Sequence, residues 1–106
     1  MFKKYLIDLI LSGNKTITSR DKQQYRIGDV TNLMANRDYS KITGKYLRIT
    51  NVYQKSLSDF TDIEAKKEGF VNLQSFKDYW LKNIGQWDTD IFVWIHEFEV
   101  ITLSKP

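Results

Sequence analysis

The segment from Ile91 to Leu103 constrains the fold of this chain more than any other. Its side chains alternate between two faces, with apolar residues on both. One face holds Phe92, Trp94, His96, Phe98 and Val100, and the other holds mostly Ile91, Val93, Ile95 and Ile101. Because successive side chains of a strand point to opposite faces, this pattern predicts a strand that is covered on both sides. The chain must therefore build a sheet with this strand in its interior.

Apolar spacing and capping residues predict three helices. Residues 2–12 carry an apolar stripe at intervals of three and four, and Gly13 supplies the left-handed residue that often follows a helix. Residues 61–64 have the order of a capping box, so a short helix begins there and ends at Gly69. Residues 72–85 keep helical spacing between an Asn N-cap and a closing glycine, which predicts a longer third helix.

Three shorter segments predict the partner strands. Residues 15–20 and 30–34 read as short strands, and a polar loop follows at residues 35–43. Residues 44–55 form a longer strand whose alternation breaks at Thr50–Asn51, which predicts a β-bulge. The order helix, strands, two helices, strand predicts a small α+β domain: a curled β-sheet or partly closed β-barrel with helices on its rim.

Length and composition exclude several classes of protein. A chain of 106 residues with 42% apolar content fits a single domain over residues 1–106. No apolar run approaches the ~20 residues of a membrane span, and the first residues lack the apolar core of a signal peptide, so we expect a cytoplasmic protein. With no cysteine and one histidine, the sequence excludes disulfides, zinc–cysteine sites, iron–sulfur clusters and multi-histidine metal sites. We expect a monomer that needs no metal and no cofactor.

Charge is distributed unevenly along the chain. Residues 1–55 carry a net charge of +7, whereas residues 56–106 carry −4, for a total of +3. A positive half favours a polyanionic partner, although many enzymes are as asymmetric. The candidate contacts to RNA phosphates are Lys22, Arg26, Lys41, Lys45 and Arg48.

The segment from Gly13 to Arg20 concentrates chemically useful side chains. It places an amine, several hydroxyls and a guanidinium just after a helix end. These groups suit a nucleophile and the donors that stabilise an oxyanion. A polar edge strand with solvated charges would look the same, so the segment alone does not decide between the two. It lacks the glycine spacing of a phosphate-binding P-loop.

An ordered series of motifs resembles the ASCH domain (activating-signal-cointegrator homology). The series comprises Gly13-x-Lys15-Thr16-x-Thr18-x-Arg20, Tyr25-x-x-Gly28-Asp29, Ala65-Lys66-Lys67-Glu68-Gly69-Phe70 before a helix with Phe76 and Trp80, and Trp87-Asp88 before the strand that contains Phe98. The resemblance covers nearly the whole chain. It implies a PUA-like fold and a role in handling RNA or nucleosides.

Within that family the chain is most similar to small enzymes that hydrolyse N(4)-acetylcytidine to cytidine and acetate. The resemblance implies Lys15, Thr18 and Glu68 as catalytic residues, and the acylated cytosine nucleoside as the partner. Two departures from the pattern, Ser19 in place of an aliphatic residue and the form of the Ala65–Phe70 motif, bear on the substrate more than on the fold. Neighbouring polar and aromatic residues are candidates for substrate binding: Arg20, Thr16 and Trp87.

Two reaction routes fit these side chains. In the first, Thr18 attacks the acyl carbon after Lys15 takes its proton; in the second, Glu68 activates water while Lys15 and Thr18 stabilise the oxyanion. Lys15 and Thr18 would point to opposite faces of a regular strand, so a joint site requires Lys15 to lie in the turn after Gly13.

Two other functions are compatible with the same residues. A non-catalytic RNA-binding module would use the Lys and Arg side chains on phosphates and Trp87 on a base. A ribonuclease is a weaker alternative, because His96 is the only histidine and we expect it to be packed within the strand.

Overall fold

The computed structural model describes residues 4–33, 40 and 43–103, with the side chains of Lys4 and Tyr5 left aside. The elements in chain order are α1 (Lys4–Leu11), β1 (Ile17–Arg20), β2 (Val30–Asn32), β3 (Lys45–Ser56), a 3-10 turn (Leu57–Asp59), α2 (Asp62–Lys67), α3 (Leu73–Ile84) and β4 (Phe92–Thr102). This is the predicted order of helices and strands. Phe2, Met34 and most of the predicted loop at 35–43 lie outside the described residues.

The four strands form one antiparallel sheet in the order β1-β4-β3-β2. The prediction that β4 is internal is confirmed, since it pairs with β1 on one side and β3 on the other. Within the described ranges β1 and β2 are the two edges, so the sheet is open and the barrel alternative is not realised there. The predicted bulge is confirmed: Ile49 pairs with Phe98 and Asn51 with Glu97, leaving Thr50 as the extra residue.

Two apolar clusters cover the two faces of β4. The cluster beneath α1 contains Leu6, Ile7, Ile10, Leu33, Leu47, Ile49 and Phe98. The cluster beneath α2 and α3 contains Ile17, Leu57, Phe60, Ala65, Phe76, Trp80, Val93 and Ile95. Both faces of β4 are therefore buried, as the alternating pattern predicts. Phe92 and Val100 are exposed, since they lie towards the ends of the strand and outside both clusters.

Capping residues set the helix ends where the sequence predicts them. Thr61 and Glu64 form the reciprocal capping box at the start of α2. The Asn72 side chain accepts a hydrogen bond from the Ser75 amide at the start of α3, and Gly85 ends that helix with a left-handed φ of 95°. These caps fix the ends of the two helices that border the candidate site.

Candidate active site

Lys15 lies in an irregular turn between α1 and β1. The amides of Asn14 and Lys15 both donate to the Leu9 carbonyl, at 2.9 and 3.0 Å, and the Thr16 amide donates to the Lys67 carbonyl at 2.7 Å. Because β1 begins only at Ile17, Lys15 escapes the strict alternation of a strand. Its side chain is 4% exposed and points into the protein. The turn thus meets the geometric condition for Lys15 and Thr18 to share one site.

Glu68 is the C-cap residue that directly follows α2, and its carboxylate is buried beside Lys15. The residue that follows, Gly69, has a φ of 97°, which an L side chain rarely adopts. A Cβ there would lie 3.0 Å from Leu9 Cδ1 and 3.5 Å from Lys15 Cβ. Gly69 therefore allows the end of α2 to approach α1 and the Lys15 turn closely. Glu68 is only 4% exposed as a result.

A buried ion pair forms the centre of this site. Lys15 Nζ lies 2.8 Å from Glu68 Oε2, and it also donates to the carbonyls of Ile17 at 2.8 Å and Glu68 at 3.2 Å. Ser19 Oγ donates to the other carboxylate oxygen, Oε1, at 2.7 Å. The amine thus has an acceptor for each of the three protons of an ammonium group. In this arrangement Lys15 is a hydrogen-bond donor and has no lone pair to accept a proton.

A cavity of about 220 Å³ opens from this ion pair. It lies at the β1 edge of the sheet, between α1 and α3. Its polar wall includes Lys15, Thr18, Ser19, Arg20 and Glu68. Its apolar wall includes Leu6, Phe70, Phe76, Tyr79, Trp80 and Ile84. The cavity therefore sets a charged, hydrogen-bonding end against a largely aromatic wall.

The structure brings four of the six candidate residues together, namely Lys15, Thr18, Arg20 and Glu68. The Thr16 side chain is exposed and does not line this cavity. Trp87 does not line it either.

Instead, Trp87 packs edge-on against three rings of the core, with centroids 6.3 Å from Phe60, 6.0 Å from Phe76 and 6.2 Å from Trp80. The Trp87 ring therefore packs against residues of the aromatic wall and does not face the cavity, so it is not placed to stack on a ligand there. Ser19 also lines the cavity, and no local pattern assigns it a role there, although it is a departure from the family pattern.

His96 is fully buried opposite Thr18 in the sheet. Its Nε2 accepts from the backbone amides of Gln24 at 3.2 Å and Tyr25 at 3.4 Å, so the imidazole is neutral with its proton on Nδ1. Burial lowers the pKa of His96, as does the nearby charge of Arg20, while the Thr18 backbone opposes the change. As expected, it is a packed histidine; its hydrogen bonds tie the segment after β1 to the sheet.

The candidate RNA contacts lie elsewhere on the surface. Lys22, Arg26 and Arg48 are exposed, and Lys45 is half-buried. Arg48 forms an ion pair with Glu99, and the negative charge of Glu99 offsets the positive charge of Arg48 at this surface. Lys41 is outside the described residues.

The described ranges contain no candidate metal site and no membrane-spanning helix. No group of three or more His, Cys, Asp or Glu side chains in them is placed to hold a metal ion. No helix in that part of the chain is long and apolar enough to cross a bilayer.

Comparison of the sequence with protein-family models and with curated proteins finds no match. Solved structures do match. The chain is similar to an ASCH domain from Lactobacillus crispatus JV V101, with a TM-score of 0.68 and 18% identity, covering 96% of this chain and 76% of that one. The chain has the fold of an ASCH domain. The predicted α+β, PUA-like fold is thereby confirmed.

A second solved structure has the same fold. It is a protein of Enterococcus faecalis V583 described under the family name DUF984, with a TM-score of 0.61 and 20% identity, covering 93% of this chain and 68% of that one. At these identities the similarity concerns the fold.

Proposed function

We propose that this ASCH-fold chain hydrolyses the N(4)-acyl amide of acylated cytosine nucleosides, giving cytidine and a carboxylate. The observation that carries the proposal is the buried Lys15–Glu68 pair at one end of a cavity that Thr18 also lines. The cost of removing two ions from water often exceeds their mutual attraction, so a buried ion pair seldom stabilises a fold. A buried pair that lines a cavity is therefore a candidate for a catalytic role.

The lining of the cavity suits one planar base that carries a small acyl group. Its volume of about 220 Å³ is below the roughly 300–1,000 Å³ typical of sites for drug-sized ligands, so the cavity suits the acylated base, with the ribose toward its opening. A planar base fits against Phe70, Tyr79 and Trp80, since aromatic faces stack on bases. The acyl group then lies at the polar end, beside Glu68 and Thr18.

The hydrogen bonds of Lys15 favour the route through activated water. Thr18 as the nucleophile would require Lys15 to accept a proton, yet Nζ already donates to three acceptors. Glu68 instead takes a proton from water as the water oxygen adds to the acyl carbon. Thr18 and Lys15 donate to the resulting oxyanion, with Lys15 exchanging its longest bond, 3.2 Å to the Glu68 carbonyl, for the new one.

Collapse of the intermediate completes the reaction. The carbon–nitrogen bond breaks, and the proton held by Glu68 passes to the departing amino nitrogen of cytosine. The products are cytidine and the carboxylic acid, which ionises in water. Glu68 returns to its carboxylate form, so one water is consumed per turnover and no cofactor is required by this scheme.

The test is incubation of the purified protein with N(4)-acetylcytidine, with cytidine followed by chromatography. Glu68→Gln keeps the shape of the side chain but removes the base, so we expect kcat to fall by about 10²-fold or more. Glu64→Gln is the matched control, because Glu64 is also a buried glutamate of α2 but does not line the cavity. Full turnover by Glu68→Gln, or no turnover by the wild type, contradicts the proposal.

Thr18→Ala separates the two routes. We expect only partial loss of kcat if Thr18 donates to the oxyanion, and complete loss if it is the nucleophile. An acyl-enzyme trapped on Thr18 and detected by mass spectrometry would establish the nucleophilic route.

Ionic strength distinguishes hydrolysis from RNA binding. For a protein that binds single-stranded RNA, the logarithm of the binding constant falls with the logarithm of the salt concentration, with a slope of about −0.7 per phosphate contacted. An uncharged nucleoside releases no counterions when it binds. We therefore expect the KM for N(4)-acetylcytidine to change little with salt. Tight RNA binding through Lys22, Arg26 and Arg48 at physiological salt, without turnover, would instead favour the binding module.

A further inference from the structure

The Glu68 carboxylate has a separate partner on each oxygen. Lys15 Nζ binds Oε2 at 2.8 Å, and Ser19 Oγ donates to Oε1 at 2.7 Å. Lys15 reaches Glu68 from the turn before β1, whereas Ser19 reaches it from within β1. The carboxylate is therefore held by two different segments, an irregular turn and a strand that is hydrogen-bonded into the sheet.

Two hydrogen-bond partners fix the orientation of the Glu68 carboxylate, which a single partner would leave free to rotate. The terminal torsion of a glutamate side chain has a broad, nearly two-fold distribution, so a single contact to Oε2 leaves the carboxylate plane able to rotate. The hydrogen bond from Ser19 defines that plane. Ser19 is anchored by the β1–β4 pairing, in which it lies opposite Ile95.

We propose that Ser19 is a positioning residue that sets the orientation of the Glu68 carboxylate toward the cavity. The role rests on the proposed hydrolase function, since it is the base of that reaction that Ser19 orients. Ser19 acts through Glu68, so its removal alters the catalytic rate more than substrate binding. A misplaced catalytic group lowers the rate even when the substrate still binds.

Three variants test the role. Ser19→Ala removes the hydroxyl, and we expect kcat to fall about tenfold with KM changed by less than about twofold. Ser19→Thr keeps a hydroxyl on a side chain suited to a strand and should restore most of kcat. Thr102→Val is the matched control, because it removes an exposed strand hydroxyl that lies outside the cavity lining.

A second measurement does not depend on turnover. The side-chain carboxyl carbon of Glu68 is observed by NMR in carbon-13-labelled protein and assigned by its absence in Glu68→Gln. Loss of a hydrogen bond changes the surroundings of this carbon, so its signal should shift in Ser19→Ala and remain in place in Thr102→Val. Urea unfolding of each variant confirms that the fold is retained.

The outcomes separate the two proposals. A wild type inactive on N(4)-acetylcytidine refutes the hydrolase function, and the carboxyl signal still reports whether Ser19 holds Glu68. An active wild type with unchanged kcat and an unshifted carboxyl signal in Ser19→Ala overturns the positioning role alone. Acyl transfer onto Ser19, detected by mass spectrometry, would also overturn it by making Ser19 the nucleophile.

Discussion

Replacing Lys15 by Met should destabilise the protein strongly, because it breaks a buried ion pair. The side chains of Lys15 and Glu68 are only 4% and 5% exposed. At 2.8 Å and an effective dielectric of about 20, their attraction is about 6 kcal/mol, comparable to the cost of desolvating the two ions. The pair itself thus contributes little net stability. Removing one partner leaves the other charge buried, at a cost of about 3–5 kcal/mol.

Two further variants isolate this effect. The double variant Lys15→Met/Glu68→Leu leaves no unpaired ion, so we expect its free energy of unfolding to lie within about 2 kcal/mol of the wild type, or above it. Arg48→Met breaks the Arg48–Glu99 pair, whose side chains are 52% and 46% exposed, and should cost less than about 1 kcal/mol.

The free energy of unfolding of the three variants is measured in urea. Tryptophan fluorescence reports the transition, since Trp80 and Trp87 lie in the aromatic cluster between α3 and the sheet. With a slope of about 1.5 kcal/mol per molar urea, a loss of 3 kcal/mol lowers the midpoint by about 2 M. A Lys15→Met midpoint as close to the wild type as that of Arg48→Met would refute the reasoning. So would a double variant as unstable as the single one.

Three other predictions follow from glycine geometry and from pKa changes. In urea unfolding, Gly69→Ala should lower the free energy of unfolding by more than the roughly 1 kcal/mol expected for Gly85→Ala. Both glycines have a φ near 95°, but a Cβ at Gly69 would lie 3.0 Å from Leu9 whereas a Cβ at Gly85 would meet no atom within 4 Å. Burial alone would raise the pKa of Glu64, but hydrogen bonds from Lys55 and Thr61 outweigh it and lower that pKa from 4.5 to about 2. The stability Glu64 contributes is therefore present above pH 4.5 and lost as the pH falls toward 2, and an acid unfolding profile unchanged in Glu64→Gln would contradict this. Burial lowers the pKa of His96 below 6.5, so stability should decline as the pH drops below that value; NMR titration of this single histidine checks it, and a midpoint above 6.5 would be inconsistent.

Local sequence signals determined the elements of this fold. The alternation of β4, the capping box at Thr61 and the left-handed glycines after α2 and α3 each depend on residues a few positions apart. The broken alternation at Thr50 likewise marked the bulge. Such signals need no knowledge of distant contacts, so they predict where helices and strands begin and end.

The sequence also indicated most of the residues that meet in the candidate site, through the spacing of Lys15, Thr18 and Arg20 and the motif around Glu68. It could not indicate that Glu68 is buried, since a glutamate at the end of a short helix is commonly exposed. Its burial depends on the close approach of α1 and α2, which are more than fifty residues apart in sequence and meet at Gly69.

Only the tertiary structure decided how the site is completed. Ser19 gained its contact with Glu68 because the edge strand β1 faces the end of α2, and no local pattern encodes that pairing. Trp87 has the side chain of a stacking residue, but its half-buried ring packs edge-on against Phe76 and Trp80 of α3. The sequence determines which chemical groups are present. The distance between two side chains that are far apart in the chain depends on how the helices pack against the sheet.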